Sequence, residues 1–154
     1  MKMMEDLQRV EARVTHHFRA SAERVFDAWL DPDQVRAWMS LPQEWGSFDV
    51  RRVEIDPRVG GRFTFSDMRE DGEAVNWGEY RVIARPHRLV FTWWTSKEEE
   101  EEDTSVVTIT IAGEDSGCTL TLVHQMDAKW TDHVDSAAAS WGGMLKQIDT
   151  LLGD

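Results

Sequence analysis

From Val10 the chain alternates apolar and polar positions. Val10, Ala12, Val14, His16 and Phe18 share one side of an extended segment, and Glu11, Arg13, Thr15, His17 and Arg19 share the other. This period of two predicts a half-buried strand. The period changes at Ser21, an N-cap residue followed by Glu23 in the first turn and by an apolar stripe of Val25, Phe26, Trp29 and Leu30. Asp31-Pro32-Asp33 ends that helix and starts another, in which Val35, Trp38 and Met39 recur at helical spacing. Pro42 and Gly46 break the pattern. Strand-like segments rich in Val, Ile, Thr, Phe and Trp follow near 47–56, 60–68, 74–84, 88–96, 104–113 and 118–126. Asp71-Gly72 and Gly117 suit the tight turns between them. Helical period returns from Trp130 to Leu152, with Val134, Ala137, Ala138, Trp141, Met144, Leu145, Ile148, Leu151 and Leu152 on one broad face.

A strand, two short helices, six strands and a long helix must together cover the apolar face of that helix. The economical solution is an α+β helix-grip fold: a curved antiparallel sheet of about seven strands wraps the C-terminal helix, the first strand joins the sheet, and the two short helices close one end. A length of 154 residues fits one domain over 1–154. With 41% hydrophobic and 30% charged residues, and no apolar run near the roughly 20 needed to cross a bilayer, the chain reads as soluble, without a membrane span. The start, MKMMEDLQRVEAR, lacks a signal peptide's apolar core, and Cys118 is the only cysteine, so a reducing cytoplasm is expected. A formal charge of -12 with scattered Lys and Arg argues against nucleic-acid binding. No coiled-coil seam is visible, so a monomer is expected, with a dimer as the alternative.

Four segments, VTHHFRASAERVFDAWLDPDQVRAWM, VGGRFTF, WGEYRVIARPHRLVFTWW and SWGGMLKQIDTLL, occur in that order over nearly the whole chain. In this the chain resembles the START-like (SRPBCC, Bet v 1-like) superfamily. More narrowly, it is similar to the domain homologous to the C-terminal part of the activator of Hsp90 ATPase (AHSA1-like). The resemblance implies a helix-grip fold with an internal cavity for an apolar or aromatic small molecule. Members of the superfamily include lipid and hormone carriers, polyketide cyclases and aromatases. A chaperone-interaction domain that contacts an Hsp90-type partner is a further reading that the family name suggests.

The inward faces supply the candidate site. On the last strand Leu120, Leu122, His124 and Met126 share the face expected to meet the helix, and His16 shares the inward face of the first strand. Each histidine is either a polar handle for a ligand or a hydrogen-bonded core or edge residue. Phe63, Phe65, Leu89, Phe91 and Trp93 belong to the same concave face, with Trp77 and Tyr80 on opposite sides of their strand, and Trp38, Trp141 and Met144 approach from the helices. These rings either stack on a ligand or form plain core. A bulge in 74–84 would reverse the facing of that strand. Gly142 and Gly143 in the long helix each cost roughly 1 kcal/mol relative to Ala, and leave space either above the cavity or for close packing.

The acidic run Glu98 to Asp103 reads as a solvated hairpin tip, or else as a surface for a basic partner. Nucleophile elbows, HExxH, Walker and dinucleotide-binding motifs are absent. Cys118 reads as a structural thiol, and no metal or cofactor is expected, because His16 and His17 point to opposite faces. The leading expectation is a non-enzymatic small-molecule binder. The enzymatic alternative, a cyclase or hydrolase, needs at least two of His16, His124, Glu79 and Tyr80 to converge on one pocket.

Overall fold

The computed structural model describes residues 9–43 and 46–153, so the expectation that the first residues are not a signal peptide falls mostly outside the described part. The chain runs β1 (Arg9–Phe18), α1 (Ala22–Leu30), α2 (Pro32–Met39), β2 (Asp49–Ile55), β3 (Arg62–Arg69), β4 (Gly72–Ala84) and β5 (Arg88–Thr92). It continues with α3 (Lys97–Glu102), β6 (Val106–Glu114), β7 (Gly117–Asp127), a 3-10 segment (Ala128–His133) and α4 (Val134–Leu152). The seven strands form one antiparallel sheet in the order β1-β7-β6-β5-β4-β3-β2. All neighbours are therefore consecutive in sequence except β1, which pairs with the last strand from Arg9↔Asp127 to Phe18↔Cys118. This is the expected helix grip. No helix among the described residues is long and apolar enough to cross a membrane.

Local chemistry accounts for the elements. Ser21 Oγ accepts the Arg24 amide at 3.2 Å and caps α1, and Asp31 Oδ1 accepts the Asp33 amide at 2.9 Å and caps α2 behind Pro32. The sheet bends because the 13-residue β4 is shared: its first part, Gly72 to Glu79, pairs with β3, and Tyr80 to Ala84 pairs with β5. Arg81 is bulged out of the β4–β5 register, beyond Tyr80, and of the two rings on this strand Tyr80 faces the interior while Trp77 lies on the outer face.

Two expectations about irregular segments change. The acidic run is a short helix, α3, and not a loose tip. Ser96 Oγ accepts the Glu99 amide at 3.2 Å, and the Glu99 carboxylate reaches back to the Thr95 amide at 2.7 Å. Three glutamates in its first turn face the positive end of the helix dipole. Partners from elsewhere then hold it down: Glu100 takes the Trp77 indole N–H at 2.8 Å, Glu102 takes Lys129 at 2.8 Å and Asp103 takes Arg81 at 3.0 Å.

The glycine pair of α4 lies away from the aromatic interior, in an outer groove beside Leu41, Pro42 and Gln43. Among the described residues a methyl group on Gly142 would meet only Val14 Cγ1, at 3.9 Å, whereas one on Gly143 would come within 2.8 Å of Gln43 Oε1. Gly142→Ala is thus expected to stabilise the protein by about 1 kcal/mol through helix propensity, raising Tm by about 3 °C. A lowered Tm in calorimetry would contradict this account of the groove.

Candidate functional site

The concave face of the sheet presents Phe63 and Phe65 from β3, Tyr80 from β4 and Leu89 and Phe91 from β5, all buried, with half-buried Trp93 just beyond. Trp29 of α1 and Trp141 of α4 press on them from the helical side. Phe63 packs edge to face on Phe91 at 5.5 Å and stacks near Trp93 at 5.9 Å, and Trp93 meets Trp141 edge to face at 4.9 Å. Trp29 contacts Trp38 at 5.6 Å and Phe91 at 6.4 Å. Such pairs each contribute about 1 kcal/mol beyond the area they bury.

These rings fill most of the space that the sheet encloses, so the voids are small. One of about 10 Å³ lies among Trp29, Phe63, Phe65, Tyr80, Leu89 and Phe91. A second, of about 60 Å³, extends from Trp29, Phe65, Phe91, Trp93 and Trp141 past Trp38, Met39 and Met144 to a mouth at Phe48, Asp67, Arg69 and Asn76.

Two features make the second void more than a packing gap. The Trp29 indole N–H is buried with no hydrogen-bond partner among the described residues, which leaves an unsatisfied donor beside it. At the mouth Asp67 is 5% exposed and accepts Arg69 Nε at 2.8 Å, while the Arg69 guanidinium also lies 5.7 Å from the Phe48 ring. The Asp67 carboxylate raises the Arg69 pKa, so the guanidinium stays charged.

His124 belongs to a different network. The Trp141 indole nitrogen can only donate, and it lies 3.1 Å from His124 Nδ1, which must accept. The neutral ring therefore carries its proton on Nε2 and donates to Ser105 Oγ at 2.8 Å. Burial lowers the His124 pKa from 6.5 to about 4, in keeping with a neutral ring. In this tautomer Nε2 cannot take a proton from Ser105, so the pair is not a nucleophile and base.

The other predicted residues divide clearly. Trp38, Phe65, Phe91, Trp93, Trp141 and Met144 line the 60 Å³ void, and Phe63 and Tyr80 border the smaller one. Trp77 does not face the interior: it stands three residues from Tyr80 on the opposite face of β4, bonded to Glu100. His16 faces α4 without reaching the voids, since its Nε2 is held by Asp149 at 2.8 Å. Leu122 is completely buried core, and Met126 borders a separate pocket with His124.

The enzymatic constellation is not assembled. His16 and His124 pair with different turns of α4, Glu79 lies 3.5 Å from Arg81, and burial raises the Tyr80 phenol far above its ordinary pKa. Cys118 is buried, and burial pushes its thiol up as well, so it stays protonated.

Sequence reasoning missed Trp29, Met39, Phe48, Asp67, Arg69 and Asn76. The signal for Asp67 and Arg69 was present: they continue the period of Phe63 and Phe65 along β3, placing charges on an inward aromatic face.

The sequence matches the model of the family described as activator of Hsp90 ATPase homolog 1-like protein over residues 19–153. No curated protein sequence matches the chain. Among solved structures, a protein from Nitrosomonas europaea superposes with a TM-score of 0.75 at 16% identity, covering 93% of this chain and 94% of its own. One from Chromobacterium violaceum superposes at 0.74 with 24% identity, covering 94% and 97%. The AHSA1-like protein from Aeromonas hydrophila superposes at 0.69 with 23% identity, covering 92% and 90%. At these identities the superpositions speak for the fold alone. The family match spans most of the chain, and the chain belongs to the activator of Hsp90 ATPase homolog 1-like family.

Proposed function

We propose that the protein binds a small, flat, largely apolar molecule in the void beneath α1, α2 and α4. Trp38, Phe65, Phe91, Trp93, Trp141 and Met144 supply its walls. The observation that carries this reading is the orphan Trp29 N–H, a buried donor beside an apolar space. A ligand oxygen or ring nitrogen would satisfy it, while a polar end would rest at Asp67, Arg69 and Asn76.

At about 60 Å³ the void is well below the roughly 300 Å³ of ordinary ligand pockets, so binding requires the walls to part. Met39 and Met144, unbranched and adaptable, are the walls best suited to move. The test is an NMR screen of planar aromatic acids, phenols and fatty acids. Hits are expected to shift the Trp29 indole N–H and the Met144 methyl group. Trp29→Phe keeps the ring but removes the donor, and is expected to weaken such hits about tenfold. A library that leaves Trp29, Trp38 and Met144 unshifted removes the proposal.

A further inference from the structure

Beyond the Trp93–Trp141 pair lies another pocket, of about 160 Å³, between α3 and the 3-10 segment. Its walls are Trp93, Trp130, His133 and Met126, and its polar groups include Glu99 and Ser105. The volume is close to the roughly 150 Å³ that admits a benzene-sized molecule in other proteins.

The hydrogen-bond chain from Trp141 through His124 ends on Ser105 Oγ, which accepts. The Ser105 hydroxyl proton is therefore left over. Ser105 is 9% exposed, and among the described residues no acceptor takes that proton. It is a nine-tenths buried donor on the wall of a pocket. Glu99, also in the pocket lining, uses one carboxylate oxygen, Oε1, for the Thr95 amide and hydroxyl at 2.7 and 2.8 Å. Its other oxygen has no partner among the described residues.

Charge decides what can enter. Among the described residues Glu99 is the one carboxylate that lines the pocket, in a chain of net charge -12, and the nearby Lys129 is held by Glu102 at 2.8 Å. An anion would be repelled, and a cation concentrated. Trp130 already acts as a platform for positive charge, with Lys129 Nζ 5.8 Å from its ring centroid.

We infer that this pocket binds a small organic cation: an ammonium head group against Trp130, Trp93 and Glu99, with a hydroxyl or carbonyl oxygen a few bonds away that accepts the Ser105 proton. This site is separate from the void proposed above. The two linings share only Trp93, and each has its own unsatisfied donor.

Choline and its neutral isostere, 3,3-dimethylbutan-1-ol, share shape and hydroxyl but differ in charge, so they isolate the cation. Titrated into the whole protein at millimolar concentration, choline is expected to shift the Trp130 indole and Ser105 amide signals and to leave the Trp29 indole in place. The isostere is expected to bind about tenfold more weakly or worse. Glu99→Gln keeps the oxygen that caps Thr95, so α3 persists, and it should weaken choline about tenfold while leaving the isostere unchanged. Equal binding of choline and isostere overturns the inference. So does the absence of shifts from choline, or shifts confined to Trp29.

Discussion

Replacing Gly78 with alanine is expected to destabilise the protein by about 3 kcal/mol or more, near the upper end of overpacking costs. A Cβ there would sit 2.0 Å from the Thr92 carbonyl oxygen and 2.7 Å from two carbons of the Phe63 ring. Neither neighbour can give way. The Thr92 oxygen is sheet backbone, and Phe63 is 2% exposed and wedged among Phe65, Tyr80, Phe91 and Trp93. Gly78 stands where β4 turns from pairing with β3 to pairing with β5, so the missing side chain lets the sheet bend tightly around the aromatic cluster. Urea denaturation of Gly78→Ala should show a midpoint far below that of the parent. Gly113→Ala, whose methyl meets nothing within 4 Å among the described residues, should stay within about 0.5 kcal/mol. Comparable stability of the two variants would refute this account of the bend.

Stability is also expected to fall by about 3 kcal/mol as pH drops from 6.5 towards 4, through His124 alone. The folded ring has its pKa lowered by burial to about 4, against 6.5 when free. Above pH 6.5 both states hold it neutral and the contribution is complete. Between 6.5 and 4 the unfolded chain gains a proton that the native ring refuses, so stability decreases with falling pH by about 1.4 kcal/mol per unit. Glu73 and Glu100 have pKa values lowered by hydrogen bonds, from Ser66 and Trp77 respectively. Their losses therefore begin only in the ordinary carboxylate range and continue below it, outside the upper part of the His124 window. His124→Gln should be less stable at pH 7, yet lose much less between pH 6.5 and 5. Nitrogen NMR should find the parent ring neutral and protonated on Nε2 at pH 5. A ring that titrates near 6.5 would defeat the prediction.

Legibility in the sequence followed the range of the interaction. On β1 and β7 the alternation placed Val14, Phe18, Leu120, Leu122 and His124 correctly, because one face of a paired strand is buried and the other is not. On β4 alternation separated Trp77 from Tyr80 but left open which was inside. Contact between Phe63 and the bare backbone of Gly78 settles it, and β3 brings that contact. The acidic run carried a helix signal in Ser96-Lys97-Glu98-Glu99, the spacing of a capping box. Repulsion among its carboxylates argued for a loop. Trp77, Lys129 and Arg81, distant in sequence, offset that repulsion.

The order of elements, the helix grip, the inward face of most strands and the aromatic character of the interior are properties of period and composition, and the sequence by itself determined them. Three features were decided by tertiary structure alone: how far the rings fill the space, which donors are left without partners, and where charges are brought beside them. Trp29 reads as one member of a helical stripe, and Ser105 as an ordinary serine before a strand. Each becomes notable only when folding has buried it and the acceptors within reach are already accounted for. Hydrogen bonding is short-ranged and directional, and no periodicity along a chain encodes which groups will miss a partner.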